Sequence, residues 1–184
     1  MTQFWSPPGL ETKFARFGDG LTPDTEGEIR GYASVFGRRD QGGDIVAPGA
    51  YGAALARLRA EGRQVKMLWQ HDATQPIGVW DEVREDERGL FVRGRILAAV
   101  ARGAEALALI GAGALDGLSI GYRTLRASRD ASGARVLDEV ELWEVSLVTF
   151  PMLPDARLRA PQAVPESDPL VRALAEALIE AAAD

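Results

Sequence analysis

The sequence predicts an α+β fold: a mostly antiparallel β-barrel or strongly curved sheet with helices packed outside it. Three observations predict it. About six segments show strand patterning against three with helical spacing. Most of the strands fall in pairs joined by short polar turns, the mark of hairpins. The chain has 184 residues, 46% of them apolar and 26% charged, which suits one soluble core with a tail.

Residues 1–25 mix Pro7, Pro8, Gly9, Gly18, Gly20 and Pro23 with a few aromatics and read as an irregular arm. The first strand is Glu28–Phe36, where Ile29, Gly31, Ala33 and Val35 alternate with other residues. A turn-rich loop, GRRDQGGDIVAPGAY, follows. Ala50–Glu61 reads as a helix with Leu55 and Leu58 on one side, ended by Gly62. Val65–Gln70 is a short apolar strand, and His71 follows it directly. Gly78–Glu85 and Gly89–Leu97 form a hairpin around a charged turn. Ala98–Ile110 carries Val100, Ala104, Leu107 and Gly111 at helical spacing, and Gly111 and Gly113 stop it. Leu118–Leu125 and Ala134–Phe150 make a second hairpin across the turn Ala127–Gly133. Pro151 and Pro154 close the β region. Residues 157–169 hold Pro161, Pro165 and Pro169 and read as a linker. Asp168 and Pro169 then suit the cap and first turn of a last helix with Leu170, Leu174 and Leu178 on one stripe. The domain reading is thus an arm at 1–25, one domain at 26–157, and a linker with an acidic helix at 158–184.

Composition removes several chemistries. With no cysteine, disulfide frameworks, thiolate metal sites and cysteine nucleophiles are excluded. With one histidine, His71, a multi-histidine metal site cannot form within one subunit. Any histidine-assisted chemistry at neutral pH falls to that residue. The net charge of −6 argues against non-specific nucleic-acid binding. Residues 161–184 alone contribute −4 of it. The N-terminus lacks a basic segment followed by an apolar run, and no apolar stretch approaches the roughly 18 residues of a membrane helix. A soluble protein in a cytosol-like compartment is the expectation.

Three residues could carry chemistry together. His71, in KMLWQHD, lies where an apolar strand meets a polar segment, a place where a side chain is held yet can reach a cleft. A half-buried surface histidine would look the same. Ser119, in DGLSIGY, starts a strand between Gly117 and Gly121, whose small size would let a substrate backbone approach. It is one of seven serines, and a strand serine satisfied by nearby backbone is the ordinary alternative. Glu144 sits in the apolar run ELWEVSLVTFP. A carboxylate is costly to bury unless it is paired, and an imidazole would be such a partner. A solvent-facing position on an alternating strand is the other reading. A serine, a histidine and a carboxylate on strand ends are the components of a hydrolytic triad, which is recognised by geometry rather than chain order.

The chain resembles the prohead (procapsid maturation) proteases of tailed phages and related gene-transfer particles, which share a fold group with the herpesvirus assemblins. GYASVF with DIVAPGAY, MLWQHD with PIG, GLFVRGRI, DGLSIGY and ELWEVSLVTFPMLPDA carry the resemblance, in the family's order, over about residues 28–157. It implies an assemblin-like fold and a serine endopeptidase with Ser119 as nucleophile, His71 as base and Glu144 as the acidic third member. Glu141 and Glu139 lie on the same strand, with parity opposite to Glu144, so only one set is expected to face His71. The chemistry implied is acyl transfer, with no metal or organic cofactor. The implied substrates are the scaffold-like portion of the major capsid protein and the protease itself, cut inside the assembling procapsid in the host cytoplasm. A homodimer follows only by analogy with the assemblins. The Pro-rich linker and acidic last helix become candidates for self-removal or for targeting to the capsid protein. Other classes remain open at this level: a catalytically silent assembly module with the same fold, a metal-dependent hydrolase built on Asp40, Asp44 and Asp72, or a protein-binding β-barrel.

Overall fold

The computed structural model describes residues 11–16 and 27–151, with side chains from residue 27 onward. It confirms the α+β class. Among the described residues, eight strands form one strongly curled sheet and two helices pack outside it. The strands are β1 (Glu11–Arg16), β2 (Glu28–Val35), β3 (Asp44–Val46), β4 (Lys66–Trp69), β5 (Asp72–Glu85), β6 (Gly89–Ile96), β7 (Gly117–Arg129) and β8 (Arg135–Val148). The helices are α1 (Gly52–Ala60) and α2 (Ala101–Gly111). Sheet order is β1-β7-β8-β4-β5-β6-β2, with β3 added beside β8. The sheet curls far enough that β2, at one end of this order, lies against β1 and β7 at the other.

Both expected hairpins are present, as β5–β6 and β7–β8. Two pairings are not antiparallel: β3 and β4 each run parallel to β8. Two strands were not expected. β1 lies within the arm read as irregular and pairs antiparallel with β7, setting Phe14 opposite Ser119. β3 lies within the loop read as pure turn; its three residues are too few to show alternation. The acidic last helix and the linker fall outside the described residues.

The core explains the local choices. Ile29, Ala33, Met67, Ile77, Trp80, Leu90, Val92, Ile96, Leu118, Ile120, Val140, Val145 and Leu147 bury together. On β2 the expected alternation fails near its end. A bulge between Tyr32 and Ser34 turns Ser34 inward in place of Val35. On α2 the inward stripe is Gly103, Ala106 and Ile110, not Val100, Ala104 and Gly111. Gly103 sets that rotation, because a β-carbon there would lie 2.2 Å from the Leu97 carbonyl oxygen. Helix α1 starts without a capping side chain of its own. The Glu85 carboxylate from β5 accepts from the Gly49 and Tyr51 amides instead, a favourable charge at a helix N-terminus.

The sheet is not evenly clothed. Residues 117–122 of β7 and 144–148 of β8 are buried without alternation, so both faces are covered there. Beyond Tyr122, β7 runs out toward solvent. The doubly covered stretch holds Ser119 and Glu144, and the end of β4 brings His71 to it.

Candidate active site

Three neighbouring strands build the site. Ser119 on β7 pairs with Ser146 on β8, and Gly121 pairs with Glu144. On the other side of β8, β4 runs parallel from Lys66 beside Glu144 to Trp69 beside Leu147. β4 then turns into β5 through Gln70 and His71 alone, with Trp69 opposite Asp72. Both turn residues hold left-handed backbone, with φ of 49° and 62°. Such two-residue turns match sheet twist but favour Asn and Gly, and each non-glycine residue held there costs on the order of 1–2 kcal/mol. The surroundings hold the turn in place. The Gln70 amide donates to the Leu147 carbonyl at 2.9 Å. The Gln70 side chain donates to Thr149 Oγ1 at 2.7 Å and accepts from the Thr149 amide at 3.3 Å. Strain retained in this way at a chemistry-bearing residue is a frequent companion of function.

The three sequence-predicted residues come together. His71 Nε2 lies 2.6 Å from Ser119 Oγ, and His71 Nδ1 lies 2.5 Å from Glu144 Oε1. An ionised carboxylate can only accept, so Nδ1 carries the ring proton and donates it to Glu144. Nε2 is then the acceptor for the Ser119 hydroxyl. The geometry thus selects the tautomer in which the ring can take a proton from serine. Ser119 has no exposed surface and Glu144 is 4% exposed. In such surroundings an unpaired carboxylate would be costly, and the pairing with His71 explains its presence in an apolar strand.

The flanking residues are used differently from the sequence expectation. Gly121 was expected to admit a substrate backbone. Its empty side-chain position is filled instead by Glu144: a β-carbon there would lie 2.0 Å from Oε1 and 2.7 Å from Cδ. Gly117 makes room for the Val148 carbonyl and Pro151: a β-carbon there would lie 2.5 Å from the carbonyl oxygen and 3.0 Å from Pro151 Cδ. The parity argument that set Glu141 apart from Glu144 also needs correction. One extra residue on β8, Trp143, shifts the register between Gly121–Glu144 and Tyr122–Leu142. Glu141 therefore pairs with Arg123 and Glu144 with Gly121, residues of like parity on β7. What separates the two acids is their partners. Glu141 is held 2.7 Å from the Arg123 guanidinium, and Glu139 pairs in register with Arg126.

One polar residue of the site was missed. Ser146 Oγ donates to Glu144 Oε2 at 2.5 Å and accepts from the His71 amide at 3.2 Å. The three aspartates considered for a metal site are each engaged in hydrogen bonds or ion pairs of their own. Asp40 accepts from the Asp44 amide at 2.8 Å, and Asp44 meets Arg135 at 3.1 Å. Asp72 is held below the usual carboxylate range by hydrogen bonds from the Thr74 hydroxyl, the Thr74 amide and Gln75. Among the described residues no three His, Asp or Glu side chains group as metal ligands. Among them, too, no helix is long and apolar enough to cross a membrane.

The chain is similar to known proteins in sequence and in fold. The prohead protease of Enterobacteria phage HK97 is 34% identical over 157 residues, covering 84% of this chain and 67% of that protein. The bacteriophage T4 capsid assembly protease superposes with a TM-score of 0.63 at 17% identity, over 79% of this chain and all of that one. A varicella-zoster virus protease aligns over 71% of this chain and 62% of its own at a TM-score of 0.42 and 13% identity, and the fold assignment does not rest on it. Residues 18–167, a span that takes in every strand of the site from β4 to β8, match the caudovirus prohead serine proteases, and the chain belongs to that family.

Proposed function

We propose that this serine protease cuts the scaffold-like portion of the major capsid protein, and itself, inside the assembling procapsid, with Ser119 as nucleophile, His71 as general base and acid, and Glu144 as the group that orients the imidazole. The continuous hydrogen-bonded series from Ser119 through His71 to Glu144 carries this reading. Membership of the prohead protease family supports the capsid substrate. The acidic segment 161–184 is proposed to target the protease to the capsid protein or to be removed by it, on the strength of its −4 charge. Self-association as a dimer is a further proposal, by analogy alone.

In acylation, Ser119 Oγ bonds to the peptide carbonyl carbon while its proton passes to His71 Nε2. The carbonyl electron pair moves to oxygen. When it returns, the C–N bond breaks and the imidazolium gives its proton to the leaving amine. Water repeats the sequence on the acyl-enzyme, with His71 again as base. Glu144 stabilises the imidazolium and keeps Nδ1–H as donor throughout. Because Ser119 has no exposed surface, a peptide carbonyl reaches it only when neighbouring groups move aside.

The test is Ser119→Ala co-expressed with the capsid protein. Loss of processing of both proteins is expected. Processing equal to the unaltered enzyme would overturn the reading and leave a non-catalytic assembly role.

A further inference from the structure

We infer that Ser146 is a positioning residue of the active site: its hydroxyl fixes both the Glu144 carboxylate and the backbone of the strained turn that presents His71. This rests on the proposed Ser119–His71–Glu144 assignment and adds a fourth residue to it.

A hydroxyl offers one donor and two acceptor positions. At Ser146 the donor goes to Glu144 Oε2 at 2.5 Å and one acceptor position takes the His71 amide at 3.2 Å. The residue is fully buried, so no bulk water stands ready to replace either bond. The two bonds act on different degrees of freedom. With Oε2 held by Ser146 and Oε1 by His71 Nδ1, the carboxylate cannot rotate about its last torsion without losing a partner. That rotation is otherwise soft. The amide bond acts on the turn. His71 sits at φ 62°, and an amide donor satisfied in that conformation alone favours it over relaxed alternatives.

The ladder explains why this position can do both. Ser146 is opposite Ser119 on β7 and beside Leu68 on β4. It therefore lies between the nucleophile's strand and the strand that delivers the imidazole. It is also two residues from Glu144, on the same face of β8.

The test uses full-length Ser146→Ala with two readouts. The first is modification of Ser119 by a fluorophosphonate, followed by intact mass. The maximal rate at saturating probe is expected to fall on the order of tenfold to a hundredfold, the rate equivalent of losing one hydrogen bond to a charged group. The half-saturating concentration should stay near that of the unaltered enzyme. The second is the far-downfield imidazole Nδ1 proton of protein labelled with ¹⁵N-histidine. With one histidine in the chain, that signal has a single source, and it should shift or vanish in the variant. A folded Ser146→Ala protein with both the maximal rate and the proton signal unmoved overturns the inference. Should the alanine variant not fold, Ser146→Cys serves. It keeps a weaker donor of similar shape, and an intermediate rate with a displaced signal is expected, whereas unaltered values again overturn the inference. The proton signal needs no substrate, so it judges the positioning role even if Ser119→Ala retains processing and the catalytic assignment falls.

Discussion

Gly121→Ala tests whether the carboxylate's place in the site depends on a missing side chain. A β-carbon at position 121 would stand 2.0 Å from Glu144 Oε1, 2.7 Å from Cδ and 2.8 Å from Cγ. Regaining an ordinary 3.4 Å contact from 2.0 Å requires a relative displacement of about 1.4 Å. The backbone at 121 has little freedom to supply it, because β7 is laddered to β1 on one side and β8 on the other. The carboxylate must therefore move, and it cannot move that far while both oxygens keep their 2.5 Å partners, His71 and Ser146. Losing the third member of a triad outright costs about 10⁴-fold in rate. A displaced but present carboxylate is expected to cost about 10²–10⁴-fold, or about 3–5 kcal/mol of barrier. Stability should fall by about 1–3 kcal/mol for the disturbed buried hydrogen bonds. The assay is the rate at which a fluorophosphonate modifies Ser119, read by intact mass beside a thermal melt. A folded Gly121→Ala protein labelled within a few-fold of the unaltered rate would refute the argument, since Glu144 would then be either displaced without consequence or not displaced.

Glu144→Gln should lower the labelling rate about 10³–10⁴-fold, because an amide no longer obliges Nδ1 to carry the ring proton; Glu141→Gln, which alters only the acid paired with Arg123, should change it less than a few-fold. Equal effects of the two would mean that the wrong acid has been placed in the site. At the β5–β6 turn, Asp86 accepts from Tyr32 Oη at 2.9 Å, Arg84 Nη1 at 2.6 Å and the Arg88 amide at 2.9 Å. Burial pushes its carboxyl up, but these hydrogen bonds outweigh burial and hold it below the usual range. A depressed carboxylate contributes stability that is present above the unfolded value near 4 and is lost as pH falls through the folded value. Asp86→Asn should therefore destabilise at neutral pH by about 1–3 kcal/mol in urea titration and flatten the acid side of the stability curve. An unchanged acid limb would count against that account.

What the sequence made legible, and what it did not, divides by the range of the interactions. Hairpins announce themselves through local turn chemistry, and β5–β6 and β7–β8 were readable from it; the β4–β5 hairpin, turned by Gln70 and His71 rather than by Asn or Gly, was not. Strands β3 and β4 reach β8 by parallel pairing across 91 and 78 residues, from Asp44 to Arg135 and from Lys66 to Glu144. Parallel neighbours share no turn, so nothing local marks their register. Yet it is the β4–β8 register that carries His71 to Glu144. The chemistry-bearing residues were legible by type: the single histidine, a serine between glycines, and an acid in an apolar run. Their supports were not. Gly121 looked like room for a substrate because a glycine's sequence neighbours do not say which side chain fills its vacancy. Ser146, flanked by Val145 and Leu147, looked like any polar residue in a strand, since its two partners come from positions 71 and 144. The bulge at Trp143 removed the parity rule that seemed to separate Glu141 from Glu144. A strand-alternation argument holds only while the ladder is unbroken, and bulges gather near active sites. Parity is therefore least dependable at the positions where a triad most needs it, and the choice between neighbouring acids has to be made on their partners: an arginine for Glu141, an imidazole and a buried hydroxyl for Glu144.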